Sequence, residues 1–219
     1  MDDGILLIDK PAGMTSFGIV ARIRRVLSEQ QGKKVKVGHT GTLDPFATGL
    51  MILVIGKECK NAGLYSKLDK TYEATIRLGQ TSTTGDPEGE ITNVSDVIPT
   101  QTKVKEVLEK FTGEITQRPP IYSAIKVNGQ RAYKLARAGK PVEIPERQVT
   151  IHSLEIINYK YPEIQIRANV SSGTYIRTLA EDIGAALGTG AYCTQLRRVS
   201  IGKWNIAKAQ TLNDFGVYS

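Results

Sequence analysis

The stretch Gly38-His39-Thr40-Gly41-Thr42-Leu43-Asp44-Pro45-Phe46-Ala47-Thr48-Gly49 constrains this chain more than any other. Small and hydroxyl residues bring the backbone to Asp44, Pro45 biases Asp44 away from helical angles, and the apolar run Leu50 to Ile55 leaves as a buried strand. A carboxylate held on a tight loop at a strand entrance is aimed rather than floating. Taken alone, an aspartate before proline reads best as an Asx turn. A phosphate cradle does not fit, because no Gly-Lys-Ser/Thr ending follows and the acid would repel phosphate. Metal binding does not fit either: His39 is one of 2 histidines, and no ligand cluster surrounds it.

The rest of the chain alternates strands and helices. Gly4 to Asp9 reads as a short apolar strand delivering Lys10 and Pro11 into a turn. Phe17, Val20, Ile23 and Leu27 then recur at helical spacing after Ser16 as N-cap, with Gly32 as the stop. Leu64 to Lys70 ends a short helical connection, and Thr71 to Leu78 alternates as a strand with Tyr72, Ala74 and Ile76 on one face. Thr81 to Gly89 is turn-rich and acidic, through Asp86 and Glu88. Val104, Val107, Leu108 and Phe111 mark a second helix, capped by Thr100 or Thr102 and closed by Gly113. Asn128-Gly129 reads as a hairpin turn, Val149 to Ile157 and Glu163 to Val170 as two strands, and Thr174 to Leu187 as a helix closed by Gly188. This mixture predicts an α+β fold around a largely antiparallel central sheet flanked by helices.

The 219 residues suffice for one sizeable core, and a single domain over 1–219 is the simpler expectation. The net charge of +7 is concentrated. Residues 22–36 carry Arg22, Arg24, Arg25, Lys33, Lys34 and Lys36 against Glu29, and residues 118–147 form a second basic cluster. Two such clusters suit a polyanionic partner, although solvated helix faces would read the same way. Cys59 and Cys193 form no Cys-x-x-Cys pair, and no apolar run approaches the ~18 residues of a membrane span. A soluble, cytoplasmic protein without membrane association is expected.

Gly38 to Gly49 resembles the signature loop of the TruB family of tRNA pseudouridine synthases, whose catalytic residue is the aspartate. Further family motifs follow in order: Lys10-Pro11-Ala12-Gly13-Met14-Thr15-Ser16, Lys70-Thr71-Tyr72, Gly173-Thr174-Tyr175-Ile176-Arg177 and Leu196-Arg197-Arg198. The stretch from Lys126 through Gly129, Arg131 and Tyr133 is similar to another.

The resemblance implies the pseudouridine synthase fold and isomerisation of a T-loop uridine in tRNA. Asp44 would be the reacting carboxylate; attack at C1′, attack at C6 and a glycal-type path all remain open for it. Arg177 would keep that carboxylate ionised, and Tyr72 would stack on the detached base. His39 would enter the T loop and fill the space of the flipped nucleotide, and Leu196 would wall the base. Tyr175, Lys10, Lys60, Lys126 and Arg131 would be further RNA contacts. A redox-neutral isomerisation implies no metal and no organic cofactor, and a monomer is expected. Bacterial relatives continue into a PUA-type domain, which this sequence does not include; activity on an isolated T-arm hairpin is expected to persist. The competing reading is a tRNA-binding folding chaperone that does not need the chemistry.

Overall fold

A strand, a tight turn and a helix open the chain because Gly4 to Asp9 is apolar and Thr15 is placed to cap the helix after it. The computed structural model describes residues 3–123, 125–127, 130–132, 138 and 144–217, with nothing described of the side chains of Lys126, Val127 and Arg131. In chain order it contains β1 (Gly4–Lys10), α1 (Ser16–Gln31), β2 (Val37–His39), β3 (Thr48–Ile55), α2 (Ala62–Ser66), β4 (Lys70–Leu78), β5 (Gln80–Ser82) and β6 (Ile91–Asn93). There follow α3 (Gln101–Lys110), β7 (Gly113–Gln117), β8 (Lys126–Val127), β9 (Gln130–Arg131), β10 (Arg147–Lys160), β11 (Glu163–Val170), α4 (Ile176–Leu187), β12 (Ala191–Ile201) and β13 (Trp204–Asn205). The expected α+β class with a mostly antiparallel central sheet is what forms. The hairpin expected at Asn128-Gly129 is flanked by the paired β8 and β9, and its tip lies outside the described residues.

Two compact units arise, Met1–Tyr72 with Arg197–Ser219, and Glu73–Leu196. In the first, β3 lies at the centre. It pairs antiparallel with β1 along one edge, while its other edge pairs antiparallel with β2 and parallel with the end of β12. Every β3 residue after Thr48 is buried, as expected of a strand covered on both faces. One face holds Leu6, Ile8, Met51 and Leu53; the other packs Leu50, Ile52 and Ile201 against Ile5, Leu7, Leu68 and Trp204.

Helix α1 starts one residue earlier than expected, at Ser16, with Thr15 rather than Ser16 as its cap. Thr15 Oγ1 accepts from Gly18 N at 3.0 Å, a contact worth about 1 kcal/mol, and Gly32 closes the helix at φ 62°. Ser16 is instead turned inward, so the buried stripe runs Ser16, Ile19, Val20, Ile23, Leu27, and Phe17, expected in the core, is 66% exposed.

In the second unit the strand order is β12-β4-β11-β10-β7, with β10 antiparallel to both β11 and β7. Helix α3 is capped by Thr100 and packs on α4 and β10. It ends at Lys110, so Gly113 opens β7 rather than closing the helix. Helix α4 carries Ile176, Leu179, Ile183 and Leu187 inward and stops at Gly188, as expected.

Candidate active site

Asp44 sits half-buried on a loop whose backbone is gripped from outside. The carbonyl of Gly41 accepts from Arg198 Nη2 at 3.1 Å, and that of Pro45 accepts from Gly13 N at 2.8 Å and Lys10 Nζ at 3.1 Å. Between them, Leu43 donates to and accepts from the single hydroxyl of Ser16, at 2.8 and 2.9 Å. Buried donors thus hold alternate carbonyls on both sides of the aspartate. This explains the N-terminal motif physically: Lys10, Gly13 and Ser16 belong to the loop's support.

Lys10 was expected to contact RNA, and the structure corrects this. Its side chain is 0% exposed and its ammonium donates to the carbonyls of Pro11 and Pro45, so a phosphate has no path to it. Lys60, by contrast, is exposed on a turn of 3₁₀ helix over Gly56–Asn61. The side chains of Lys126 and Arg131 lie outside the described residues. His39 ends β2, opposite Leu53, and is half-buried at the mouth of the Asp44 loop.

Lys70 and Tyr72 alternate into the same buried face of β4 as Ala74 and Ile76. The Lys70 ammonium donates to the carbonyls of Ser66 and Leu68. Burial and then the charge of Arg198 hold its pKa down to about 8, against the pull of Asp69. The unfolded chain keeps that proton up to the ordinary 10.5, so between pH 8 and 10.5 the unfolded state binds more protons. Stability therefore rises with pH across this window. Urea midpoints at pH 8, 9 and 10 should show this rise in the wild type and a flatter profile in Lys70→Met.

In the second unit, Arg177 occupies the first turn of α4 with its guanidinium buried. Asp86 is a carboxylate partner of the kind a cation at a helix start calls for, with Nη1 to Oδ2 at 3.2 Å; Nη1 and Nη2 also donate to the carbonyls of Thr84 and Tyr122, at 2.7 and 2.9 Å. Asp86 is 4% exposed and also accepts from Thr84 Oγ1 at 2.6 Å and Glu88 N at 3.0 Å. From the sequence Asp86 is only part of a turn-rich acidic stretch; its neighbour Thr84, whose hydroxyl supplies one of these bonds, was the available signal.

Gly85, at φ 71°, lets this turn approach α4: a Cβ there would lie 2.8 Å from Glu181 Oε1. Burial raises the Glu181 carboxyl, Arg177 draws it down, and Asp182 and Asp86 push it up. Tyr175 caps the start of α4, with Gln117 bonding both its N–H and its carbonyl. The Arg147 guanidinium lies 4.9 Å over its ring, so one aromatic face is already covered. Leu196 is buried in β12.

The model of the TruB family pseudouridylate synthase N-terminal domain matches residues 24–176, and that of the tRNA pseudouridylate synthase B C-terminal domain matches residues 177–218. The chain is 49% identical over 210 residues to tRNA pseudouridine synthase B of Azoarcus sp. (strain BH72), covering 96% of this chain and 68% of that protein. For the protein of the same name from Burkholderia mallei (strain NCTC 10247) the identity is 46% over 211 residues, with the same coverage.

Among solved structures, Cbf5 in a Cbf5-Nop10-Gar1 complex superposes with a TM-score of 0.72 at 29% identity, over 96% of this chain and 53% of that one. A chain of an H/ACA RNP bound to a substrate RNA containing 2′-deoxyuridine gives 0.71 at 28%, over 96% and 51%. The chain thus spans about half the length of these solved chains. The fold is that of the pseudouridine synthases. Within that class, the chain belongs to the TruB family of pseudouridylate synthases.

Proposed function

We propose that this protein isomerises a T-loop uridine of tRNA to pseudouridine. The observation that carries the reading is Asp44, a carboxylate on a loop whose carbonyls at Gly41, Leu43 and Pro45 are held by buried donors. Preorganisation of this kind suits a reaction that gains most from exact placement of one charge. In the isomerisation the C1′–N1 bond breaks and C1′–C5 forms; the C5 proton leaves and N1 takes one up. No oxidant or reductant enters.

In this reading Asp44 serves the ribose and Tyr72 offers its ring to the detached uracil. Arg177 supports the charge of the carboxylate, and Leu196 walls the base. Extruding the uridine costs a few kcal/mol, which His39 offsets by stacking where the base stood. Arg22, Lys33, Lys34 and Lys36 are exposed along and after α1, and with Lys60 they offer charge to the phosphates. The protein acts as a cytoplasmic monomer, and no helix of the described residues is long and apolar enough to cross a membrane.

The test is release of tritium from a T-arm hairpin carrying [5-³H]uridine, with one proton expected per pseudouridine formed. No release from the hairpin or from whole tRNA would overturn the reading. Hairpin affinity should also fall about 10²–10³-fold between 50 and 200 mM salt if some five phosphates are neutralised. The competing reading, a tRNA-folding chaperone, shares the basic surface and predicts binding without release.

A further inference from the structure

We propose that Arg198 is a positioning residue for Asp44, through a two-point staple on the loop that presents it. This rests on Asp44 being the reacting carboxylate. The Arg198 side chain is among the largest fully buried in the molecule, at 1% exposure. Its Nε donates to Leu50 O at 2.7 Å and its Nη2 to Gly41 O at 3.1 Å, so one rigid fork joins the residues on either side of the loop. Only a planar guanidinium offers two donors at a fixed angle; an ammonium on a flexible stem satisfies one or the other.

The backbone of Arg198 acts on the same loop. The parallel register sets Arg198 opposite Gly49, where a Cβ would stand 2.3 Å from the Arg198 carbonyl oxygen. Gly49, at φ 108°, therefore permits a closeness that no other residue allows, and the strand abuts the loop's exit directly.

Charge enters as well as shape. Both oxygens bonded by Arg198 belong to neutral carbonyls, and among the described residues no carboxylate pairs with it. A buried cation without a counter-ion is costly, and its field favours an ionised carboxylate on the loop it supports. At the neighbouring Lys70, whose pKa is lowered first by burial, the Arg198 charge is the second cause of the shift. Arg197, next in line, points to the other side of the strand, where it forms a two-bond pair with Asp9 at 2.7 and 3.1 Å.

Arg198→Gln and Arg198→Lys test the proposal. In tritium release from a T-arm hairpin, kcat should fall at least 10-fold in both while KM stays within 3-fold. The acid limb of the kcat profile should move to higher pH in Arg198→Gln and less in Arg198→Lys, which keeps the charge. Amide exchange over residues 41–49 should quicken at least 10-fold in both, with β10 and β11 unchanged. Wild-type kcat, a rise in KM alone, or unaltered exchange over the loop would each overturn the proposal. So would global unfolding of both variants, which would make Arg198 a residue of overall stability. Should the wild type itself release no tritium, the proposed function fails while the exchange measurement still decides whether the staple shapes the loop.

Discussion

Asp44→Asn should leave hairpin binding within about 3-fold of wild type and lower tritium release by at least ~10³-fold, the scale set by removing a group that acts at the reacting centre. The substitution keeps the volume, removes the charge and turns one acceptor oxygen into an NH2 donor. The loop itself is held through carbonyls at Gly41, Leu43 and Pro45 by donors other than the Asp44 side chain. This result also separates the two functional readings. A chaperone would fold tRNA as well with asparagine as with aspartate, and equal release from both proteins would remove Asp44 from the reaction.

Asp86→Ala should cost about 3 kcal/mol in stability, because it takes a buried carboxylate away from the Arg177 guanidinium and frees two hydrogen-bond donors at once. The pair is almost fully desolvated, with side-chain exposures of 3% for Arg177 and 6% for Asp86. Glu181 modifies the outcome. Its carboxyl is raised mainly by burial and partly by the Asp86 charge, so removing Asp86 makes it easier to ionise, and the ion pairs with Arg177. The loss should therefore be larger at pH 5 than at pH 8. Asp86→Asn, which keeps the acceptor for Thr84 and Glu88, should lose less than alanine. Urea midpoints at the two pH values check this; a cost under about 1 kcal/mol at both would mean the pair is not the anchor of α4.

The framework read most plainly from the sequence was the part governed by apolar periodicity. The strand expected from Gly4 runs to Lys10, the buried run from Leu50 lies inside Thr48–Ile55, and Thr71 to Leu78 alternates as expected. Glycines 32 and 188 stop their helices at left-handed angles that favour glycine. What escaped was structure made by buried polar groups. Strand β12 carries Thr194, Gln195, Arg197 and Arg198, a pattern that hydropathy assigns to surface, yet Arg198 is interior because two carbonyls receive it. Lys10 was misplaced for the same reason: its ammonium is received by a carbonyl 35 positions away, at Pro45, as well as by that of the adjacent Pro11.

Phe17 illustrates the reverse error. Period alone draws a phenylalanine inward, but the hydroxyl of Ser16 is required at Leu43, and turning Ser16 in turns Phe17 out. For the candidate site, the motifs single out Asp44, Tyr72 and Arg177 by resemblance alone, while the residues that hold the Asp44 loop and Arg177 became legible only from their bonds.

The staple between Arg198 and Leu50 joins positions 148 apart in the chain. A ribosome emits the aspartate early and the arginine late, so for most of its synthesis a nascent chain can hold the Asp44 loop only from its N-terminal side, through Lys10, Gly13 and Ser16. The last hold arrives in one late event, when the strand bearing Arg198 pairs beside Gly49. Abortive fragments that stop short of it carry the acid on a loop that lacks its bonds at Gly41 and Leu50.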